Sequence, residues 1–392
     1  MSEEKKFEQM YHLVGEQAIP IYLTAIQFSK DVKHYLLTTE SEKTQKSAES
    51  LLRTFKANGY SAEIRSLGAS KNAFSFRSLL PLFRTIYEET NPTKEPSALN
   101  ITGGTKPMSF TSFLVAEKYG TMHTCYLDFP EHQLYWMDGT VTPVQTVLKI
   151  SDFIQLAGLE LREKKSFAAE TSFVNFLFQH ASLLQRYQGD FAAAANNIFP
   201  KKEYPSAKVY FEKKFDEFAN SFKPSEKESW KEFWAAFTTP AGQKHMSWQA
   251  QSKFLGGGWF ENYVYTSLKN TDKQITEILQ GAEVIIPDSD AGNSMQELDV
   301  VYTDGYSLTI LECKAGIVTQ DHVQKLENLG FRFAGALGVS ALVSLNEAGT
   351  KSNKQLLRCL EISRLISGFF GAKGIQRLKK QPISFEAGKI YE

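Results

Sequence analysis

Short apolar runs and amphipathic runs alternate along the first 150 residues of the chain. Runs rich in β-branched and aromatic residues predict strands, and runs with an apolar residue every three or four positions predict helices. The predicted strands are Gln9–Gly15, His34–Thr38, Ala62–Leu67, Ala98–Thr102, Met122–Phe129 and Gln133–Met137, and the predicted helices are Ala18–Phe28, Glu42–Asn58, Phe74–Glu89 and Lys106–Tyr119. This alternation predicts an α/β fold with a Rossmann-like domain over residues 1–150.

The next stretch, residues 151–250, is dominated by helical patterns and is rich in aromatic residues. Ten phenylalanines fall between Phe167 and Phe222. An aromatic stripe at helical spacing indicates a buried core rather than a ligand site. We therefore expect a helical connector that transmits a rearrangement from one domain to another; a small helical DNA-binding unit is the alternative.

A predicted hairpin carries an unusual group of charged residues. Two apolar runs, Glu297–Tyr302 and Tyr306–Lys314, flank Thr303-Asp304-Gly305, in which Asp-Gly favours a tight turn. A two-residue loop would set Glu297 opposite Glu312. Because side chains alternate along a strand, one face of the hairpin then collects four charged residues. These are Glu297, Asp299, Glu312 and Lys314.

Carboxylates crowded on one strand face require a counter-ion, and a hard divalent cation such as Mg²⁺ or Mn²⁺ would supply it. Asp299 and Glu312 are the candidate ligands. Lys314 would steady a phosphate or orient an attacking water, so the pattern predicts metal-dependent hydrolysis of a phosphodiester. The alternative is a solvated strand face with a casual salt bridge. Leu308 and Ile310 on the same face favour burial, in which unpaired carboxylates are costly.

A glycine-rich segment, Asn100–Ser109, follows the fourth predicted strand and opens a helix. Glycines let backbone amides approach an anion, the helix presents free N–H groups, and Thr102, Thr105 and Lys106 add donors. The segment would therefore cradle a phosphodiester. Ordinary capping of a helix is the alternative. The spacing matches neither the Walker loop nor the dinucleotide fingerprint.

Composition narrows the class of protein. The 392 residues suggest two or three domains, and the formal net charge of zero does not commit the chain to nucleic acid. Cys125, Cys313 and Cys359 are too scattered for a disulfide scaffold. Cys313 would point away from the acidic face, and its backbone carbonyl is a further candidate metal ligand. With no apolar signal region or membrane span, we expect a soluble, cytoplasmic protein.

The C-terminal part is locally basic. Residues 351–380 contain eight Lys or Arg and one acidic residue, a local charge of +7. A solvated helix face is the ordinary explanation of such a run, but its one-sided charge favours contact with a phosphate backbone. Lys351, Lys354 and Arg358 are candidate nucleic-acid contacts. The elements predicted here are a helix over Asp321–Leu329, a strand over Ser340–Leu345 and a helix over Lys351–Ser367.

The order of an aspartate, about a dozen residues and Glu-x-Lys resembles the PD-(D/E)xK nuclease core, with Asp299, Glu312 and Lys314 at the signature positions. No proline directly precedes the aspartate, in contrast to the family pattern. The resemblance implies an acidic residue on a preceding helix, for which Glu261 in the segment 256–265 is the candidate, acting on the metal through a water. It also implies support from the helix after Glu-x-Lys. The candidates there are Gln324 and Lys325, which are also candidate nucleic-acid contacts.

The combination of this hairpin with Thr-Gly-Gly-Thr-Lys in a Rossmann-like domain resembles the CRISPR ancillary nucleases, in which a CARF sensor domain is joined to a PD-(D/E)xK domain. The resemblance implies three parts: a CARF sensor domain at 1–150, a helical connector at 151–250 and a restriction-endonuclease-like domain at 251–392. It places the sensor motifs on these residues: Gly15, Glu16, Gln17, Thr39, Ser41, Thr102, Gly103, Gly104, Thr105 and Lys106. Capping of a helix is an alternative role for Ser41.

The same resemblance implies a function. It implies a homodimer that binds a cyclic oligoadenylate, most often the tetra-adenylate, and then cleaves single-stranded RNA or DNA with Mn²⁺ or Mg²⁺ in type III CRISPR antiviral defence. Two-fold symmetry suits a cyclic ligand, because one interface offers the same donors to both halves of the ring. Two alternatives stay open: an ungated restriction-like or repair endonuclease, and a non-enzymatic transcriptional regulator of the CARF type.

Overall fold

The computed structural model describes residues 6–162, 169–239, 245–270, 274–286, 294–330, 338–347, 366–380, 382 and 389–391. The chain divides into two compact units, which we call the N-terminal unit and the C-terminal unit. The N-terminal unit is Met1–Leu161 with Val284–Met295, and the C-terminal unit is Arg162–Glu283 with Gln296–Glu392. Within the described ranges no helix is both long and apolar enough to cross a membrane.

The N-terminal unit contains a sheet of seven strands in the order β3-β2-β1-β4-β5-β6-β7. The strands are β1 Gln9–Leu13, β2 Lys33–Thr38, β3 Ser61–Ser66, β4 Ser97–Asn100, β5 Met122–Asp128, β6 Gln133–Trp136 and β7 Val141–Pro143. The helices are α1 Ile19–Ala25, α2 Glu42–Ala57, α3 Phe76–Thr90, α4 Lys106–Tyr119 and α5 Ile150–Leu156. The first five strands pair in parallel, and β6 and β7 are antiparallel additions. The predicted Rossmann-like α/β arrangement is confirmed.

Two central strands of this sheet, β1 and β4, end just before the loops that carry the predicted sensor motifs. Strand β1 ends at Leu13, two residues before Gly15, and β4 ends at Asn100, two residues before Thr102. These two strands are parallel neighbours, with His12 beside Asn100. Because parallel strands bring their carboxyl ends to one edge of the sheet, the loops after β1 and β4 meet there.

The second sheet has the order β14-β13-β12-β11-β10-β9-β8. Its strands are β8 Glu160–Arg162, β9 Glu277–Ile286, β10 Ser294–Thr303, β11 Leu308–Lys314, β12 Val339–Ser344, β13 Ile366–Phe370 and β14 Ile390–Tyr391. The described helices of the C-terminal unit are α6 Thr171–Gln179, α7 Ala181–Ala195, α8 Ala207–Asn220, α9 Pro224–Thr238, α10 Trp248–Lys253, α11 Trp259–Lys269, α12 Gln320–Leu329 and α13 Gly371–Lys380. The architecture is mixed α/β, with helices between the two sheets along the chain.

The helices between the two sheets share a hydrophobic core with the second sheet. Phe173, Phe191 and Trp230 from α6, α7 and α9 belong to the same buried cluster as Leu311 and Cys313 of β11. The aromatic stripe predicted as core is therefore buried. From residue 162 onward these helices belong to the same compact unit as the second sheet.

The register of the β10–β11 hairpin differs from the prediction. Thr303 pairs with Leu308 and Val300 with Leu311, so the loop has four residues rather than two. The carboxylate of Asp304 accepts hydrogen bonds from the N–H groups of Tyr306 and Ser307 at 2.8 and 2.7 Å, which extends the turn. The predicted pairing of Glu297 with Glu312 is therefore wrong; continuing the observed register brings Asp299 beside Glu312. The shift of two residues leaves every side chain on its predicted face.

The two faces of the second sheet carry different elements. Leu311 and Cys313 face the cluster that contains Ile375 and Leu378 of α13. The alternate residues of β11, Glu312 and Lys314, project from the other face, on which α12 lies. The helix predicted over Lys351–Ser367 lies mostly outside the described residues, and its last two residues begin strand β13 instead.

We expect Phe191→Ala to destabilise the C-terminal unit by about 3–5 kcal/mol, since Phe191 is fully buried in the shared core. The matched control is Ile198→Ala, which truncates a 73 % exposed side chain and should change stability by no more than about 0.5 kcal/mol. Chemical denaturation followed by circular dichroism measures both. A loss below about 1 kcal/mol for Phe191→Ala would contradict a core shared by helices and sheet.

Candidate functional site

Two buried carboxylates lie side by side on strands β10 and β11. Asp299 is 7 % exposed and Glu312 is 2 % exposed. The ammonium of Lys314 links them, with Nζ 2.7 Å from Glu312 Oε1 and 3.4 Å from Asp299 Oδ2. The backbone N–H of Cys313 donates a 2.8 Å hydrogen bond to Asp299 Oδ2, which fixes that carboxylate against the next strand. The structure thus brings together three of the predicted catalytic residues.

A second lysine enters this group from α12. Lys325 Nζ lies 3.1 Å from Glu312 Oε2, so Glu312 contacts two ammonium groups. Burial favours a neutral Glu312, but Lys314 and Lys325 outweigh it and hold the pKa of Glu312 below its usual range. Lys325, predicted as a nucleic-acid contact, is here a partner of the acidic strand, whereas Gln324 is exposed.

The fourth predicted acid, Glu261, lies half-buried in the first turn of α11. Burial and the negative charge of Asp299 raise the pKa of Glu261 to about 8. Burial and the charge of Glu312 raise the pKa of Asp299 to about 6. Glu297, predicted on the same acidic face, instead pairs with Lys253, with Nζ 3.2 Å from Oε2. Burial and the neighbouring carboxylates together thus favour the protonated forms of Glu261 and Asp299.

The donor chemistry of this group suits a hard divalent cation. Among the residues that the structure describes, no three His, Cys, Asp or Glu side chains form a cluster that could hold a metal ion. Asp299 and Glu312 nevertheless offer two adjacent carboxylates, and Mg²⁺ is usually bound by one or two carboxylates with water completing its shell. An ion between them would take over the charge balance that Lys314 supplies in this structure.

Two other residues near the site, Cys313 and His322, have structural roles. The thiol of Cys313 faces the hydrophobic cluster, and burial raises its pKa, so it is a packing group and not a nucleophile. His322, in the first turn of α12, accepts a 3.0 Å hydrogen bond from the N–H of Thr319 at Nδ1. Burial and the charge of Lys314 lower the pKa of His322. Neither residue contributes a charge to the site at neutral pH.

The turn after β11 is held by residues that the sequence did not single out. Gln185 of α7 donates 2.9 Å hydrogen bonds to the carbonyl of Ala315 and to Asn346 Oδ1. Asn346 in turn donates to the carbonyl of Gly316 at 2.9 Å. Since Ala315 follows Lys314 directly, this pair of amides fixes the end of the charged strand. No local motif marks Gln185, which lies 130 residues away from its partner Ala315.

In the N-terminal unit, the loops after β1 and β4 pack closely against each other. A Cβ on Gly103 would lie 2.1 Å from the carbonyl oxygen of Leu13, and a Cβ on Gly15 would lie 3.1 Å from the nitrogen of Gly104. Gly104 has φ of 76°, a conformation that favours glycine. These contacts require glycine at 103 and 104, so the two predicted sensor motifs form one surface.

The threonine hydroxyls of this loop are engaged within the protein. Thr102 donates to Asn100 Oδ1 at 2.6 Å and accepts from the N–H of Leu127 at 2.8 Å. Thr105 donates to the carbonyl of Ala73 and accepts from the N–H of Met108. In the described chain, the backbone N–H groups of Gly103 and Gly104 have no hydrogen-bond partner. The groups left for an anion are these amides and Lys106.

The other predicted sensor residues surround the same loops. Glu16 is exposed and pairs with Lys43 at 3.3 Å, and Gln17 is exposed. Thr39 is buried, with its hydroxyl 3.4 Å from that of Thr44. Ser41 occupies the N-cap position of α2, although its side chain makes no capping hydrogen bond.

The predicted nucleic-acid contacts divide into two groups. Lys351, Lys354 and Arg358 lie outside the described residues. The described part of the basic run is α13, on which three exposed residues share one face. These are Lys373, Arg377 and Lys380. Because the buried side of α13 packs in the cluster with Leu311 and Cys313, this basic face belongs to the side of the sheet opposite Glu312 and Lys314.

Several solved structures share the fold at low sequence identity. Can2 from Sulfobacillus thermosulfidooxidans, solved in complex with cyclic tetra-adenylate, has a TM-score of 0.67 and 18 % identity, covering 96 % of this chain and 98 % of Can2. Protein VC1899 from Vibrio cholerae has a TM-score of 0.71 and 14 % identity over 95 % of this chain and 96 % of its own. A type III CRISPR defence DNA nuclease activated by cyclic oligoadenylate has a TM-score of 0.54 and 16 % identity, covering 98 % of this chain and 53 % of that one.

Comparison with protein families identifies both ends of the chain. A comparison with curated protein sequences finds no match. Residues 10–153 match the family described as the Card1 CARF domain, and residues 249–380 match the Card1-like endonuclease domain. The first match contains the paired glycine loops, and the second contains Glu261, Asp299, Glu312 and Lys314. The chain is therefore a Card1-like protein that joins a CARF domain to an endonuclease domain.

Proposed function

We propose that this protein is an endonuclease of type III CRISPR defence that a cyclic oligoadenylate switches on. The observation that carries the proposal is the buried group of Asp299, Glu312 and Lys314 in one chain with a loop in which the N–H groups of Gly103 and Gly104 have no partner among the described residues. The likeness to Can2, solved with cyclic tetra-adenylate, and to a CRISPR nuclease activated by cyclic oligoadenylate supports the same pairing.

The reaction that this site supports is hydrolysis of a phosphodiester. Asp299, Glu312 and the backbone carbonyl of Cys313 would hold Mn²⁺ or Mg²⁺, with Glu261 acting through a water, and the bound ion would supply Lewis-acid stabilisation of the phosphoryl oxygens. Lys314 Nζ donates to the nucleophilic water or the phosphate and balances the added negative charge. The N–H of Cys313 keeps Asp299 in place. Lys325 holds Glu312 ionised.

The activator would bind at the joined loops of the CARF domain. The amides of Gly103 and Gly104 have no hydrogen-bond partner among the described residues, and Lys106 begins α4 two residues after Gly104. Backbone amides at a helix N-terminus bind phosphate well. Thr102 and Thr105 contribute by fixing the loop, since their hydroxyls already have partners within the protein. The proposed ligand is cyclic tetra-adenylate.

A homodimer would give a cyclic ligand two equivalent loops. Helix α4 presents Phe110, 62 % exposed, and Leu114, 57 % exposed, one and two turns beyond Lys106. Phe74 and Phe76 are exposed in the same unit, in the segment whose Ala73 bonds to Thr105. Exposed large apolar groups near one another mark interaction surfaces. We propose that this surface pairs with a second copy of the chain.

The substrate that we propose is single-stranded RNA or DNA. Contacts to phosphate carry affinity without sequence choice, which suits a defence nuclease. Activator binding must favour the active state by at least ~2.7 kcal/mol for a roughly hundredfold shift in population. Both domains are required in this proposal, because the CARF domain supplies the ligand-dependent bias and the endonuclease domain supplies the chemistry.

Glu312→Gln should lower cleavage by at least about a hundredfold and leave binding of cyclic tetra-adenylate unchanged, since even residues behind a metal's direct ligands contribute about 10- to 100-fold. The assay offers single- and double-stranded RNA and DNA with Mn²⁺, with and without cyclic tetra-adenylate. The matched control is Glu297→Gln, which removes a half-buried carboxylate on the neighbouring strand β10 that pairs with Lys253. It should retain cleavage. Cleavage by wild type that ignores the activator would favour an ungated nuclease.

Lys106→Ala should affect the protein in the opposite way to Glu312→Gln, because it should weaken activator binding and leave the cleavage site intact. Loss of one charged donor should weaken binding of cyclic tetra-adenylate by about tenfold or more, and cleavage at low activator concentration should fall in proportion. Lys118→Ala, at the far end of the same helix, is the matched control and should bind normally. Isothermal titration calorimetry measures both. Equal affinities of the two variants would remove Lys106 from the activator site.

Phe110→Glu combined with Leu114→Glu should convert the dimer to a monomer, because two charges cannot be buried at an apolar interface without partners. Ile198→Glu changes another exposed apolar residue, outside the CARF domain, and should leave the dimer intact. Analytical ultracentrifugation distinguishes the two outcomes. A double variant that sediments like wild type would place the dimer contact elsewhere.

A further inference from the structure

A chain of buried polar groups crosses the centre of the CARF sheet and ends at the sensor loop. His34 of β2, His12 of β1 and Asn100 of β4 are each 0 % exposed. His12 Nε2 lies 3.0 Å from His34 Nδ1, and Asn100 Nδ2 lies 3.3 Å from His12 Nδ1. Asn100 Oδ1 accepts from the N–H of Thr102 at 2.9 Å and from its hydroxyl at 2.6 Å.

Backbone donors fix the direction of every bond in this chain. The N–H of Thr102 can only donate, so the oxygen of the Asn100 amide must face Thr102 and its nitrogen must face His12. The N–H of Leu127 donates to the Thr102 hydroxyl, which therefore donates its own proton to Asn100. A flipped amide would set its nitrogen against the N–H of Thr102, donor against donor.

The amide orientation then dictates the protonation of both histidines. Asn100 donates to His12 Nδ1, so His12 carries its proton on Nε2 and donates it to His34 Nδ1. His34 therefore also carries its proton on Nε2, an atom with no hydrogen-bond partner in the described structure. Burial lowers the pKa of His34 to about 3, and burial together with His34 holds the pKa of His12 well below its usual value, so both rings are neutral.

We propose that Asn100, fixed in one orientation by the N–H of Thr102 and held at its amide nitrogen by His12, is a positioning residue that holds the Thr102–Lys106 loop in the shape that presents its free amides to the activator phosphate. This inference rests on the proposed binding of a cyclic oligoadenylate. Asn100 holds both the backbone and the hydroxyl of Thr102, the residue next to Gly103, and Thr102 in turn binds the start of the loop to β5 through Leu127. The loop is thus anchored from inside the sheet.

Asn100→Ala tests this role through binding. It removes the only acceptor of the Thr102 N–H in the described chain, so affinity for cyclic tetra-adenylate should fall by about tenfold or more. Ser97→Ala is the matched control, since Ser97 is equally buried on the same strand and its hydroxyl has no partner. It should bind like wild type. Unchanged affinity in Asn100→Ala, or an equal loss in Ser97→Ala, would overturn the proposal.

Nuclear magnetic resonance of the full-length protein with ¹⁵N-labelled histidine tests the chain without any variant. His12 and His34 should both show protonated Nε2 and unprotonated Nδ1; protonated Nδ1 on His12 in the wild type would overturn the assigned direction. Asn100→Asp offers only acceptors and should move a proton onto His12 Nδ1, while its oxygens still hold Thr102.

Hydrogen exchange separates this inference from the proposed function. In Asn100→Ala the amides of Thr102 and Leu127 should exchange at least about tenfold faster than in Ser97→Ala, because their anchoring bonds are lost or weakened. Equal protection in the two variants would overturn the positioning role. A wild type that binds no cyclic tetra-adenylate would instead disprove the proposed activator, while exchange and the histidine protons would still decide the role of Asn100.

Discussion

The structure of the endonuclease domain depends on one constraint, the burial of two carboxylates on neighbouring strands. Asp299 and Glu312 would repel each other in an environment of low dielectric, and each lost hydrogen bond to water must be replaced. The ammonium of Lys314 offsets the repulsion between the two carboxylates and donates hydrogen bonds to them. Lys325 supplies a second cation for Glu312, and the N–H of Cys313 donates to Asp299. Removing one partner of such a group leaves a buried charge uncompensated, which is more costly than never having buried it. The strand pair and helix α12 therefore fix each other.

The predicted register was wrong, but Asp299, Glu312 and Lys314 still lie together in the structure. Alternation along a strand has a period of two, so an error of two residues in the hairpin moves no side chain to the other face. The error itself came from Asp304. Asp-Gly favours a two-residue turn, but the Asp304 carboxylate accepts from the N–H groups of Tyr306 and Ser307 and lengthens the loop. A choice between these turns depends on hydrogen bonds that local propensity does not determine.

Contacts between distant residues account for most of what the sequence did not predict. The described basic helix α13 packs on the side of the sheet opposite the charged side chains of β11, because the crossover connections of the sheet decide on which face a helix packs. Gln185 contacts the end of β11 only because α7 shares the core of the second sheet. Lys325 was predicted from a family resemblance as a contact for nucleic acid, and its bond to Glu312 follows from the packing of α12.

Both domains contain buried polar groups held by fixed hydrogen-bond partners, but these groups differ in charge. In each, polar groups within an apolar sheet have all but one or two of their hydrogen-bonding atoms engaged by fixed partners, so their geometry has few alternatives. In the endonuclease domain the groups are charged, and their carboxylates are the ligands that we propose for a cation. In the CARF domain these groups are neutral. The hydrogen bonds that connect Thr102 to His34 fix the shape of the loop and place no charge behind it. A neutral scaffold suits a site for a polyanion, since a buried carboxylate behind Gly103 and Gly104 would repel the phosphates that we propose their amides bind.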